Sequence, residues 1–257
     1  VVNVAIEGQL LLGAFSAAVL SSLTGSPLVG LVGAMLGGAM VAFVLAAFAI
    51  KYLVEQVIVG VVLNVLVTGV TGFLFGALLV PNEDLLNSPE RFAPIAIPLL
   101  SDIPLLGPVL FNQTLIVYLM YVAVAVVAWG LYRTRWGLRL RAVGEHPQAA
   151  DTVGIRVNPT RFWNVLLAGA IAGIGGAYFT LVSVPQFGKE MTAGLGFIAL
   201  AAHYIADMTG VVINPMEPNV VMALAPAGIV ALGTLAGILP AMKAYRTDVV
   251  ENLIPQT

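Results

Sequence analysis

Apolar runs of membrane-crossing length recur along this sequence, and no water-soluble fold has an interior large enough to hide them all. A transmembrane helix needs about 20 mostly apolar residues. The candidates are residues 8–24, 27–50, 57–80, 114–132, 162–184, 191–213 and 218–242. Composition agrees: 60% of residues are hydrophobic, 9% are charged and the mean hydropathy is +1.00, far outside the range of soluble domains. The runs are rich in Val, Ala, Leu and Gly, and they lack the alternation that a membrane barrel needs. The expectation is an all-α, polytopic integral membrane protein with about seven membrane elements in this chain.

Several function classes drop out at once. The net charge of −2 is uninformative about nucleic acid, but no basic face interleaved with aromatics points to such a partner, and that class is set aside. The chain has no cysteine, so disulfide frameworks, thiolate metal sites and cysteine nucleophiles are excluded. No GxxxxGK[ST] phosphate loop exists, because Gly188-Lys189 is followed by Glu190 and lacks the earlier glycine. HExxH and GxSxG patterns are absent too. The chain is therefore expected to be no enzyme and to need no cofactor or metal, so any ATP is hydrolysed by a partner. Residue 1 is Val and no basic n-region precedes an apolar core, which suggests an N-terminal segment missing before it.

Charge placement sets the orientation. Six of the 11 Lys and Arg residues (Arg133, Arg135, Arg139, Arg141, Arg156 and Arg161) fall in one island between apolar runs. Such a loop, 133–161, faces the cytoplasm by the positive-inside rule. Segment 81–113, acidic and broken by Pro81, Pro89, Pro94, Pro98, Pro104 and Pro108, is the outside loop, its apolar stretches lying at the interface. Lys51 then falls inside. Continued parity would leave Lys243 and Arg246 outside, against the rule. Either 191–213, with Gly194, Gly196, His203 and Asp207, is re-entrant or broken, or two basic residues are too weak a signal. A faint echo between VVNVAIEGQLLLGAFSAAV and MTAGLGFIALAAHYIAD favours the first, as two loosely repeated halves with interrupted helices are a transporter architecture. Glycines at spacing four (Gly33 and Gly37, Gly72 and Gly76, Gly169 and Gly173) let helices approach closely, within the subunit rather than at a dimer seam.

Within the basic loop, EHPQAADTVGI has the grammar of a short helix: His146 at its start, Pro147 at the first helical position and Gly154 ending it in a left-handed conformation. Ala149 and Ala150 would offer a smooth knob to a groove on another protein. Trp136 anchors the loop at the headgroups.

TRWGLRLRAVGEHPQAADTVGIRV, followed by LLAGAIAGIGGAYFTL and MTAGLGFIALAA, resembles the permease subunits of bacterial ABC importers of the sugar, branched-chain amino acid and nucleoside type. NVAIEGQLLLGAF, VGVVLNVLVTGVTGFL and PLLSDIPLLGPVLF are similar to the nucleoside permeases that work with a lipoprotein binding protein. The resemblance covers about residues 1–202. It implies a plasma-membrane nucleoside permease working by alternating access. Its implied partners are a cytoplasmic ABC ATPase, a second permease subunit, an extracytoplasmic substrate-binding lipoprotein and membrane lipids. It also implies a coupling helix that docks on the ATPase, carried here to Gly144, Glu145, His146, Pro147, Ala149, Ala150, Asp151 and Gly154. After Ala202 the sequence departs, and LAPAGIVALGTLAGILPAMKAYRTDVVENL resembles the end of lipoprotein-release and macrolide-export permeases. That division gives a permease domain, 1–202, and atypical C-terminal helices, 203–257. It keeps a non-transporting or composite helical bundle open as an alternative, besides a sugar or branched-chain amino acid permease.

Substrate-path candidates carry two readings each. Glu7 with Asn3 either lines the path, as the match to the family's opening, or fixes helix packing. Asn64, Thr68 and Thr71 share one face of the third span, to hydrogen-bond a nucleoside or another helix. Phe187 either belongs to the interfacial aromatic belt with Trp163 or stacks on a base. His203 and Asp207 are four apart and read as a partly solvated helix end rather than a metal site. Asn164 is structural.

Overall fold

The computed structural model describes residues 2–98 and 111–208, with 203–208 described by backbone alone. It divides into two compact units, Val1–Ala202 and His203–Thr257.

The first unit is built around three helices. These are α1 (Ile6–Thr24), α2 (Pro27–Ala46, continued by a π turn over Ala47–Lys51) and α8 (Val157–Tyr178, continued over Phe179–Ser183). α1 turns into α2 over two residues. Gly25 takes the left-handed conformation (φ 61°) and returns its N–H to the Ser21 carbonyl, and Pro27 opens α2 where no amide hydrogen is missed.

Lipid offers helices no hydrophobic drive to associate, so close packing of small residues must supply it. Gly13 of α1, Gly38 of α2 and Gly169 and Gly173 of α8 supply that packing here. A β-carbon added at Gly13 would lie 2.8 Å from the Gly173 Cα, and one at Gly38 would meet the same atom. Gly33 and Gly37 face Leu20, Ser16 and Leu12 of α1 in the same way. Gly72 and Gly76 differ: nothing lies within 4 Å of a β-carbon at either, so this pair makes no close packing contact among the described residues.

α3 (Gln56–Leu74, with a π turn over Phe75–Leu79) leans on the start of α1. Leu63, Val67 and Leu79 join Leu11, Ala14 and Ala18 in the main apolar cluster. α5 (Leu115–Arg133) stands largely exposed, presenting Val122, Val124, Val126 and Trp129 outward, as a lipid-facing helix does. Among the described residues five helices are long and apolar enough to cross a membrane. They correspond to the first five candidates, with the fifth starting earlier, at Val157. The sixth begins only at Leu195, as α9 (Leu195–Met208), after a run of turns. The 218–242 candidate lies outside the described residues.

Segment 81–113 holds more order than its prolines suggest. α4 (Glu83–Leu86) is followed by strand β1 (Pro94–Ala96), paired antiparallel with β2 (Asn112–Thr114) in the register Ile95 to Gln113. Tyr118 clips the ribbon by donating from its hydroxyl to the Ile95 carbonyl at 2.9 Å. The fold is mostly helical but not purely so. Pro94 is tolerated because a two-stranded ribbon consists of edge strands.

Candidate functional site

The basic loop between the spans is folded into a helix pair, the expected short helix preceded by a second one. Thr134 caps α6 (Arg135–Glu145) by accepting the Gly137 N–H at 3.2 Å. A break in the helix at His146 then allows α7 (Pro147–Thr152) to start on proline. Trp136, Leu140 and Val143 mark one stripe of α6 at helical spacing, a signal that the sequence carried and that the charges obscured. Val143 is buried, and its carbonyl accepts from the Arg161 guanidinium at 3.4 Å, tying α6 to the start of α8. Arg141 covers the Tyr132 ring at 5.4 Å. Gly154 adopts φ 84°, as its place after the helix requires, and its N–H meets the Asp151 carbonyl at 2.9 Å.

The outer surface of this pair is formed by exposed Gly144, Glu145, His146, Ala149, Asp151 and Gly154, with Pro147 half-buried among them. Ala150 is different. It is buried at 4% exposure and turned inward, so the knob consists of Ala149 and not of both alanines. A helix of this length has two faces, and Ala150 supplies the one that holds it to its own subunit.

A second polar centre lies at the start of α1. Glu7, buried within the apolar helices, accepts from the Thr192 hydroxyl (2.6 Å) and the Gly194 amide (2.9 Å) through Oε1, and from the Gly196 amide (2.7 Å) through Oε2. Two of these donors are the amides at the start of α9, which a carboxyl group completes both by hydrogen bonds and by opposing the helix dipole. Asn64 of α3 accepts from the Gly8 amide (2.8 Å) and donates to the Val4 carbonyl (2.9 Å). Asn3 and Gln9 exchange side-chain hydrogen bonds at 2.8 and 3.1 Å. Thr71 donates back to the Val67 carbonyl, and Thr68 is half-buried beside it.

These partners engage Glu7, Asn3 and Asn64 within the chain itself. All three are arranged as helix-fixing residues. Phe187 is likewise a core residue, 2% exposed, edge-on to Phe15 at 5.3 Å and held through its backbone by Asn87 at 2.8 and 3.1 Å. It belongs neither to an interfacial belt nor to an open stacking face. Trp163 is exposed, as a belt residue is, and Asn164 donates to the Thr160 carbonyl within its own helix. His203 and Asp207 lie on α9, but their side chains are outside the described residues. No group of three metal-ligating side chains occurs among the described residues. Thr192 and Asn87 were missed in the sequence because each acquires its role from a residue about a hundred or more positions away.

Comparison with known proteins gives a consistent answer. The family of branched-chain amino acid transport system permease components matches residues 1–245, running on past Ala202, where the sequence reading placed a departure. The guanosine ABC transporter permease protein NupQ of Bacillus subtilis is 36% identical, covering 79% of this chain and 65% of that protein. The nucleoside ABC transporter permease protein NupC of Lactococcus lactis is 37% identical with the same coverage. A putative glucose ABC transporter permease protein, TsgC13 of Haloferax volcanii, is 39% identical over 78% of this chain and 60% of its own length. The chain thus spans about two thirds or less of the curated relatives it matches. No solved structure matches.

Proposed function

Since the chain belongs to the family of branched-chain amino acid transport system permease components, we propose that it is a permease subunit of an ATP-driven importer of nucleosides. It is a multi-pass protein of the bacterial inner membrane. ATP is hydrolysed by a cytoplasmic ATPase subunit, a second permease subunit completes the path, and an extracytoplasmic binding lipoprotein delivers the solute. Transport proceeds by alternating access, rigid groups of helices rocking about a midplane path.

The observation that carries this reading is α7. A helix of six residues, about 9 Å long, stands exposed beyond the membrane helices. It is braced by α6 and Arg161 so that force applied to it reaches α5 and α8. Glu145 and Asp151 flank Ala149 on its outer surface, a small apolar contact rimmed by acid that suits a groove with basic edges. The nucleoside assignment is supported by the relatives from Bacillus subtilis and Lactococcus lactis. The similarity to a putative glucose permease makes sugar the second reading.

The test is Ala149→Arg in the full complex, followed by co-purification of the ATPase and by uptake of labelled nucleosides. The expected outcome is loss of both with normal membrane insertion. Unchanged association and uptake would show that α7 is not the transmission point, and uptake of glucose alone would move the substrate to the sugar class.

A further inference from the structure

After α8 the chain does not leave the bundle. Leu181, near the end of α8, clusters with Ala17 of α1 and Leu31 of α2. Phe187 packs on Phe15, and Thr192 and Gly194 reach Glu7. From Ala17 to Glu7 is ten residues of α1, about 15 Å at 1.5 Å per residue. Residues 184–194 therefore run back along a helix that is itself only just long enough to span a membrane. Lys189 and Glu190 fall between the levels of Phe15 and Glu7 on α1, just past Gln186 and Phe187, which bond to Glu83 and Asn87 of segment 81–113.

Both side chains are exposed. Apart from the Phe75 ring, 5.9 Å below the Lys189 ammonium, neither side chain has a hydrogen-bond or ion-pair partner among the described residues. The backbone is irregular here too, with Glu190 and Ala193 at φ 51° and 45°. Charges and non-helical backbone persist at membrane depth only where protein shelters them or where they face a water-filled cavity, and no shelter is provided here by the described residues.

We propose that Lys189 and Glu190 line the aqueous permeation path and contact the solute there, selecting a neutral, polar molecule over an ion. Lys189 donates to carbonyl or ring-nitrogen acceptors, Glu190 accepts from N–H or hydroxyl donors, and the Phe75 ring provides an apolar wall for a flat base. Adjacent opposite charges leave little net field, so a phosphorylated analogue gains at Lys189 what it loses at Glu190. The ligand class rests on the nucleoside-importer reading above; the water-facing position does not.

The chain contains no cysteine, so single cysteines can be placed in this chain of the assembled complex without background. Lys189→Cys, Glu190→Cys and, as a lipid-facing control, Val126→Cys of α5 are treated with a membrane-impermeant methanethiosulfonate, which reacts with the thiolate formed in water. Labelling at 189 and 190 at least about tenfold faster than at 126, and slowed by guanosine, is expected. Glu190→Gln is expected to raise the uptake KM for guanosine about tenfold, the loss of roughly one charge-assisted hydrogen bond, and Glu190→Lys to make uptake sensitive to guanosine monophosphate. Labelling at 189 and 190 no faster than at 126 overturns the proposal. Guanosine uptake by the wild-type complex with neither protection nor a KM change overturns the ligand contact. Uptake of sugar in place of nucleosides refutes the preceding functional reading, while fast labelling at 189 and 190 still supports the lining position.

Discussion

Replacing Glu7 by Gln separates a helix anchor from a substrate ligand, because the two roles respond to the change in different observables. The carboxyl group accepts three hydrogen bonds in a buried site: two through Oε1, from Thr192 and Gly194, and one through Oε2, from the Gly196 amide. Glutamine is nearly the same shape and keeps one acceptor oxygen. Its NH2 group then faces the Gly196 N–H, donor against donor. The site has little room to adjust, since a β-carbon at Gly196 would lie 2.7 Å from the Glu7 backbone nitrogen and Cα. One buried donor is left without an acceptor, at a cost of about 1–3 kcal/mol, and the two remaining bonds lose the strength that a charged acceptor gives. The expected loss is about 2–3 kcal/mol for Gln. For Ala, which orphans all three donors, it is roughly 4–6 kcal/mol, below the simple sum because the groups share one site. The assay is thermal or denaturant unfolding of the purified complex in detergent, beside the uptake KM. The structure predicts lower stability with KM unchanged in whatever fraction remains folded. A Glu7→Gln complex of native stability with a raised KM would refute the anchor assignment and return Glu7 to the permeation path.

Two further outcomes follow from the packing. Gly173→Val drives a side chain into the Ala34 carbonyl across the α2–α8 contact, so the protein should fail to accumulate in the membrane. Gly72→Val, in open space, should accumulate normally, as quantitative immunoblotting of membranes will show. Asn64→Leu leaves the Gly8 amide and the Val4 carbonyl without partners and should destabilise by about 2–4 kcal/mol. Thr68→Val, at a half-buried position whose hydroxyl makes no hydrogen bond among the described residues, should change the unfolding midpoint little.

Much of the architecture follows from local chemistry. Apolar runs near 20 residues long can only be membrane helices, because the backbone must satisfy its own hydrogen bonds in lipid. The five candidates from residue 8 to residue 184 accordingly meet the five described spans. The short α7 was legible for the same reason: a proline that starts a helix and a glycine that ends it act within a few residues of themselves. α6 was read as loop because its arginines dominate the composition while its apolar stripe is narrow.

What the sequence by itself determined, then, is the membrane class, the positions of the five described spans, the short helix α7 and the family resemblance. Only the tertiary structure decided which polar residues are already spoken for. Asn3, Glu7, Asn64 and Phe187 all had the right chemistry for a solute, and each finds its partners inside the chain. Lys189 and Glu190, which the sequence reading noted only in excluding a phosphate loop, stand exposed with no hydrogen-bond or ion-pair partner among the described residues. A side chain's hydrogen-bonding capacity is written in its residue type, but whether that capacity is spent depends on groups up to 189 positions away. Long-range pairing of this kind is set by how the helices cross and where the chain turns back.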